Sequence, residues 1–267
     1  MANVLEAIQV SKEIDGRPIL QNISFQCSND TRLLIRGKNG SGKSTLLKLL
    51  AGIVKPTSGK IVGSAQKVGY VPEHFPEGLR FRLKEYLLLT SSFQAGSKDS
   101  IEGELSTYIQ MFGIEPFLQT PLKACSKGTR QKAGIIQALL MKPDVLLLDE
   151  PLTGLDIESQ QILVKLLEGF DIPIIFTSHE DELLMHLAKE VLHIGTGEVT
   201  PYFIHAAPKK RIKVEYSSKE VFKDFPVNEI QYEGSEAIFI VDGETSDQIL
   251  IELLQKNCSI VDVREIE

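Results

Sequence analysis

The polar and apolar positions divide the chain into short blocks of different period. Leu5–Val10 and Ile19–Phe25 read as β-strands separated by the turn signal Asp15-Gly16-Arg17-Pro18, and Arg32–Arg36 as a third short strand. A glycine-rich loop follows. Then comes Ser44–Ala51, whose leucines recur at helical spacing with Gly52 placed to end the helix. From about Pro76 to Met141 the pattern is mostly helical, with candidate helices at Leu83–Phe93, Ile101–Phe112 and Lys127–Met141. Val145–Leu148 is an unbroken apolar run between Pro143-Asp144 and Asp149, the pattern of a parallel strand buried on both faces. Ile157–Phe170 is an amphipathic helix, Pro173–Thr177 the next buried strand, Asp181–Glu190 a helix and Val191–Ile194 a late strand. Strand–helix alternation of this kind predicts a parallel sheet covered by helices on both faces.

A boundary falls near Ala206-Ala207-Pro208, before the basic Lys209-Lys210-Arg211. Beyond it lie three alternating runs, Ile212–Tyr216, Glu229–Tyr232 and Ala237–Val241, then a helix at Asp247–Lys256 and a last strand at Ile260–Val263. Residues 208–267 therefore form a small α+β appendage on a larger domain, 1–204.

Composition narrows the function classes. With 267 residues, 42% hydrophobic and 24% charged, the chain suits a packed globule rather than a disordered one. A net charge of −7 argues against a nucleic-acid backbone as the main partner. Much of that excess sits beyond Pro208, where 8 Lys+Arg face 13 Asp+Glu. No apolar run approaches the roughly 20 residues of a membrane span, and Met1-Ala2-Asn3-Val4-Leu5-Glu6 has no secretory-signal pattern. Cys27, Cys125 and Cys258 are too scattered for a metal site or a disulfide framework, so the chain reads as cytosolic and reduced, its cysteines serving as small buried hydrophobes.

The strongest chemical signal is Gly37-Lys38-Asn39-Gly40-Ser41-Gly42-Lys43-Ser44, followed by Thr45. It fits G-x-x-x-x-G-K-[ST] between a predicted strand and a predicted helix. Glycines let backbone N–H groups turn inward around a polyphosphate, and the helix adds the positive end of its dipole. Lys43 supplies a charge for the β- and γ-phosphates, and the Ser44 hydroxyl can ligate Mg²⁺. A plain glycine turn explains the same residues less well in that context. Downstream, Asp149 and Glu150 end the buried strand Val145–Leu148, where ligands collect in an open α/β sheet. Asp149 is placed to hold Mg²⁺ and Glu150 to orient and deprotonate an attacking water. Adjacent carboxylates are costly without a cation. His179 leaves the same sheet edge, within reach of a γ-phosphate.

Together these residues resemble the nucleotide-binding subunits of ABC transporters, over about residues 2–204. Gly37–Thr45 resembles the Walker A motif and Leu146–Glu150 the Walker B motif. Cys125-Ser126-Lys127-Gly128-Thr129-Arg130-Gln131-Lys132 resembles the family signature, Thr153-Gly154-Leu155-Asp156 the D-loop and His179 the switch histidine. The resemblance implies a P-loop core with a parallel sheet, an antiparallel β subdomain and a helical subdomain at about 76–142. It implies two such domains closing head-to-tail around two ATP molecules, with Ser126, Lys127, Gly128 and Thr129 reaching the partner's nucleotide and Asp156 in the D-loop. It also implies Mg²⁺ held by Ser44, Glu73 and Asp149, catalysis by Glu150, His179 and Lys43, and a separate transmembrane permease that keeps the chain on the inner face of the membrane. On residues alone, Ser126-Lys127-Gly128 is only a helix cap.

Four departures stand out. Glu73 occupies a position where the family has glutamine, adding charge beside Asp149 and Glu150. The signature carries Lys127 for glycine and Thr129 for glutamine. Ile14 replaces the aromatic residue that stacks on adenine, leaving apolar contact only. The appendage resembles the C-terminal domains of exporter-type subunits, which points toward export. The stretch His74–Tyr86, with Phe75, Leu79, Phe81 and Tyr86 beside Arg80, Arg82 and Lys84, is the expected docking surface. Two other classes compete. One is a low-turnover nucleotide-binding module, which Glu73, Ile14 and the altered signature motivate and intact Lys43, Asp149, Glu150 and His179 argue against. The other is an ABC-type ATPase acting on nucleic acid or ribosomes, which the charge and the lack of coiled-coil insertions or paired cassettes disfavour.

Overall fold

The computed structural model describes residues 4–76, 78–93, 98–178, 182–202, 209–216, 218–222, 225, 230–241 and 245–266. Two compact units divide the chain, Met1–Tyr202 and Phe203–Glu267.

The first unit opens with β1 (Leu5–Ile14) and β2 (Arg17–Cys27). Asp15 and Gly16 join them with φ of 50° and 73°, the paired positive values that a two-residue hairpin needs. Arg17 and Pro18, expected in the turn, instead begin β2. Pro18 is tolerated there because β2 is an edge strand of the three-stranded sheet β2-β1-β4, where β4 is Ser58–Val62.

Next come β3 (Arg32–Arg36), α1 (Lys43–Leu50) and β5 (Val68–Val71). The helical stretch contains α2 (Leu83–Ser91), α3 (Lys98–Met111) and α4 (Lys127–Leu140). They are followed by β6 (Val145–Leu148), α5 (Ile157–Glu168), β7 (Ile174–Thr177), α6 (Glu182–Met185), β8 (Glu190–His193) and β9 (Glu198–Pro201). The main sheet has the order β5-β6-β7-β3-β8-β9, parallel except for β9. Successive residues of its strands serve opposite faces. Leu34, Leu146, Leu148, Ile174 and Phe176 join the core shared with the helical stretch. Leu33, Ile35, Val145, Leu147 and Ile175 join the core under α1 and the antiparallel sheet. Four-residue strands such as β6 and β7 are therefore apolar almost throughout, with Thr177 at the end of β7 the exception.

One expected helix needs correction, and three strands lie outside the sequence reading. Asp181–Glu190 is not one helix: α6 ends at Met185, and Glu190 already lies in β8. Leu187 and Ala188 are buried, and the Lys189 N–H donates to the Arg32 carbonyl at 2.9 Å, which draws the chain back to the sheet. β4 and β9 escape detection because they are largely exposed and show no alternation. β5 escapes because it is short and contains Gly69, where a Cβ would meet the Leu146 side chain at 2.9 Å.

The second unit comprises β10 (Lys209–Glu215), a 3₁₀ turn at Lys219–Phe222, β11 (Ile230–Glu233), β12 (Glu236–Val241), α7 (Ser246–Gln255) and β13 (Ser259–Ile266). Its antiparallel sheet runs β11-β12-β10-β13. Ile212, Val214, Phe239, Ile249 and Leu253 form its core with Phe222 and Phe225.

Burial on both faces makes the central strands sensitive to truncation. Leu147, with no exposed surface, is expected to destabilise the chain by about 2–5 kcal/mol when changed to alanine. Denaturant midpoints of wild type and Leu147→Ala check this, and a difference below about 1 kcal/mol would contradict the packing.

Candidate functional site

The loop from Gly37 to Gly42 connects the central strand β3 to α1. Gly40 and Gly42 take φ of 77° and 100°, values that side chains rarely allow. A Cβ on Gly42 would meet Leu20 at 2.9 Å, and one on Gly37 would run into the Ser41 hydroxyl. α1 has no side-chain N-cap, so its first N–H groups remain available to an anion. The Lys43 amine folds back to donate to the Gly37 carbonyl at 2.9 Å and the Lys38 carbonyl at 3.4 Å. The Ser41 hydroxyl is buried with no hydrogen-bond partner among the described residues. A phosphate oxygen would satisfy it, so the loop fits a polyphosphate.

Across the cleft, Asp149 and Glu150 stand at the end of β6, 2% and 6% exposed. Thr177 at the end of β7 ties them together. Its hydroxyl donates to Asp149 Oδ1 at 3.0 Å and accepts the Glu150 N–H at 2.9 Å. The Asp149 N–H donates to the Val71 carbonyl at 2.8 Å. Glu150 has φ of 49°, a conformation costly for a non-glycine residue and held here by its neighbours. Tyr70 of β5 lies beside this pair. Burial first, then the charges of Asp149 and Glu73, push its phenol well above the usual range.

One cleft of about 360 Å³ gathers Ile14, Ile19, Asn39, Gly40, Gly42, Lys43, Ser44, Thr45, Glu73, Asp149 and Glu150. These include most of the nucleotide and metal candidates from sequence. Glu73, Asp149 and Glu150 line the cleft with the Ser44 hydroxyl, although among the described residues no three His, Cys, Asp or Glu side chains are grouped closely enough to hold a metal ion by themselves. Ile14 stands at the rim, 47% exposed. His179 lies outside the described residues.

The signature residues do not line that cleft. Ser126 caps α4, its hydroxyl accepting the Thr129 N–H at 3.1 Å. Lys127, Arg130 and Gln131 line a separate pocket of about 230 Å³ with Glu73, His74 and Phe75. The start of α4 is packed against the loop that follows β6 in the same chain: a Cβ on Gly128 would collide with the Gly154 carbonyl. The buried Gln131 amide donates to the Pro151 carbonyl at 3.4 Å. Lys132 donates to Asp156 at 2.8 Å and to the Phe112 carbonyl at 3.0 Å. Asp156 also caps α5 by accepting the Ser159 N–H at 2.9 Å. Lys132 and then Ser159 hold the Asp156 carboxyl far below the usual carboxylate range.

Sequence reasoning passed over Thr177, Tyr70, Gln131 and Lys132 as site residues. Thr177 carried a usable signal, a polar residue ending a buried strand. The other three depend on which strands and loops become neighbours.

A carboxyl depressed in the folded state adds stability above its unfolded pKa and loses it as pH falls through the folded value. Lys132→Met should therefore lower stability at neutral pH, with the deficit shrinking in acid as wild type loses the same contact. Denaturation midpoints at several pH values check this, and a deficit independent of pH would contradict the pairing.

The family model described as ABC transporter matches residues 20–153. The zinc import ATP-binding protein ZnuC of Vibrio parahaemolyticus is 32% identical over 72% of this chain and 73% of its own length. The spermidine/putrescine import ATP-binding protein PotA of Mycoplasma capricolum is 28% identical over 92% of this chain and 77% of its own. Both names specify import, so the export direction drawn from the appendage finds no support in them. In fold, the chain is similar to an ATP-binding subunit of an ABC transporter, with TM-score 0.69 at 20% identity over 94% of this chain and 99% of the other. It is similar also to the ATP-binding cassette MJ0796, solved as a dimer with ADP and Pi, with TM-score 0.64 at 21% identity over 74% and 98%. With the motif order, the cleft and these matches in agreement, the chain belongs to the ABC transporter family and carries its ATP-binding domain.

Proposed function

We propose that this chain is the Mg²⁺-dependent ATPase subunit of a membrane transporter, working as a pair of cassettes on a separate permease. The observation that carries this reading is the convergence of Lys43, Ser44, Glu73, Asp149 and Glu150 on one cleft. In this reading the loop N–H groups and Lys43 bind the β- and γ-phosphates, which draws the Lys43 amine away from its own loop carbonyls. Ile14 supports adenine by apolar contact. Ser44, Asp149 and Glu73 hold Mg²⁺, whose charge offsets the phosphate oxygens. Glu150, fixed through its backbone by Thr177, takes a proton from the attacking water, and His179 is the residue assigned to polarise the γ-phosphate.

The signature cannot serve its own chain's cleft in the arrangement seen, which supports a second cassette. There Ser126, Lys127, Gly128 and Thr129 of one copy complete the other's site. Lys127 adds a positive charge where glycine is usual. The packing of Gly128 on Gly154 and the Lys132–Asp156 pair then link the signature of one site to the D-loop beside the other. Transport toward the cytoplasm is the direction that the named relatives support.

A groove of about 420 Å³ shares Ser44, Glu73 and Asp149 with the cleft, and its outer end at Ile53, His74, Phe75 and Pro76 is the proposed seat of the permease. This revises the expected surface. Tyr86 is buried with its hydroxyl bonded to Gln137, and Leu79 packs on the core. Phe75 lies edge-on to Tyr86 at 5.2 Å, and Phe81 alone of the four is open, at 39%.

Two experiments follow. Purified chain should release phosphate from ATP only with Mg²⁺, and Glu150→Gln should lower turnover by about a hundredfold or more while retaining ATP binding. Wild-type chain that binds ATP but does not turn over, even with its membrane partner, would favour the binding module. Ile53→Arg, at a residue 60% exposed, should weaken capture of a multi-span membrane protein while leaving nucleotide binding intact. Unchanged capture would remove the groove from consideration.

A further inference from the structure

The sheet of the second unit ends on β13, which bonds to β10 on one side and has no strand partner on the other among the described residues. An eight-residue open edge of this kind is a template for another strand. The ladder to β10 shifts between Lys213 and Val214, leaving Val261 as an extra residue. Past that bulge the register is regular. Val263 sits opposite Ile212 on the face that α7 covers, while Asp262 and Arg264 sit opposite Lys213 and Arg211 on the other face. Val261 and Val263 are 48% and 40% exposed.

α7 continues this edge as an apolar surface. Its inward face carries Ile249 and Leu253. One flank carries Lys256, whose amine donates to the Val221 carbonyl and lies over the Phe225 ring. Helical geometry puts Ile251 and Leu254 on the opposite flank, with Asp247, which lies 4.0 Å from Lys210 of β10. Ile251 and Leu254 therefore face the β10–β13 side, each 56% exposed.

We propose that two copies of this chain pair antiparallel along β13, about a twofold axis at Val263. Residues directly opposite in a sheet share a face, so the axis can move only by whole residues. Centred on Asp262, the pairing sets aspartate against aspartate. Centred on Arg264, it sets arginine against arginine. Like charges directly opposite are destabilising. Centred on Val263, it sets Asp262 opposite the partner's Arg264 twice and valine against valine. Asp262 and Arg264, which bond to each other at 2.8 Å within one chain, then exchange partners. The same axis keeps both α7 helices on one face of the joined sheet, with their Ile251 and Leu254 flanks toward each other. A contact of this kind is self-complementary and closed. It needs no nucleotide, so it would hold two chains together through the open phase of the ATPase cycle.

The test is sedimentation of the full chain at tens of micromolar without nucleotide. Wild type is expected to sediment as a dimer. Asp262→Arg and Arg264→Asp should each sediment as monomers, and an equimolar mixture of the two should recover a heterodimer, because each then offers the charges that the other lacks. The double variant carrying both changes should dimerise with itself. Monomeric wild type, single variants that dimerise like wild type, or a mixture that stays monomeric would each overturn the pairing. ATP-driven association of a Glu150→Gln chain is read separately with nucleotide present, so failure of one does not imply failure of the other.

Discussion

The site depends on placing two adjacent carboxylates in a nearly dry position at the end of β6. Such a pair is stabilised when hydrogen bonds and nearby positive charge offset its desolvation and mutual repulsion. Thr177 meets the first need with a single hydroxyl that serves both residues. The second need explains why the glycine loop, Lys43 and Ser44 lie across the same cleft. A parallel sheet makes this possible, since β3, β6 and β7 all end on one side and bring loops from distant parts of the chain to one edge.

The same logic accounts for the division of labour between the two faces of the sheet. The face under α1 anchors the phosphate loop through Leu33, Ile35, Leu46 and Leu47, all essentially without exposed surface. The other face carries α4, whose N-terminus holds the signature residues. That helix is tied to the loop after β6 by Gln131, Gly128 and Lys132. The end of β6 and the start of α4 are therefore closely packed on each other.

The departures from the family pattern take on physical meaning in this setting. Glu73 adds a third carboxylate to the cleft that Asp149 and Glu150 already line. Lys127 lays its aliphatic stem beside Gly154, where a Cβ would meet it at 3.3 Å.

Much of the arrangement was legible in the residues themselves. The phosphate loop, the strands Arg32–Arg36 and Val145–Leu148, the carboxylate pair and the cap at Ser126 are each written in a window of a few residues, where spacing and periodicity carry the physics. Strands with little buried surface, β4 and β9, left no such imprint, and α6 was shortened because Leu187 and Ala188 were needed in the core. Tertiary structure alone decided that Thr177 would bridge Asp149 and Glu150, that Gly128 would meet Gly154, and that Ile251, Leu254 and Val263 would lie on one side of the second unit. Those contacts join residues far apart along the chain, and which strands become neighbours is settled by burial summed over the whole core, a quantity that no short window contains.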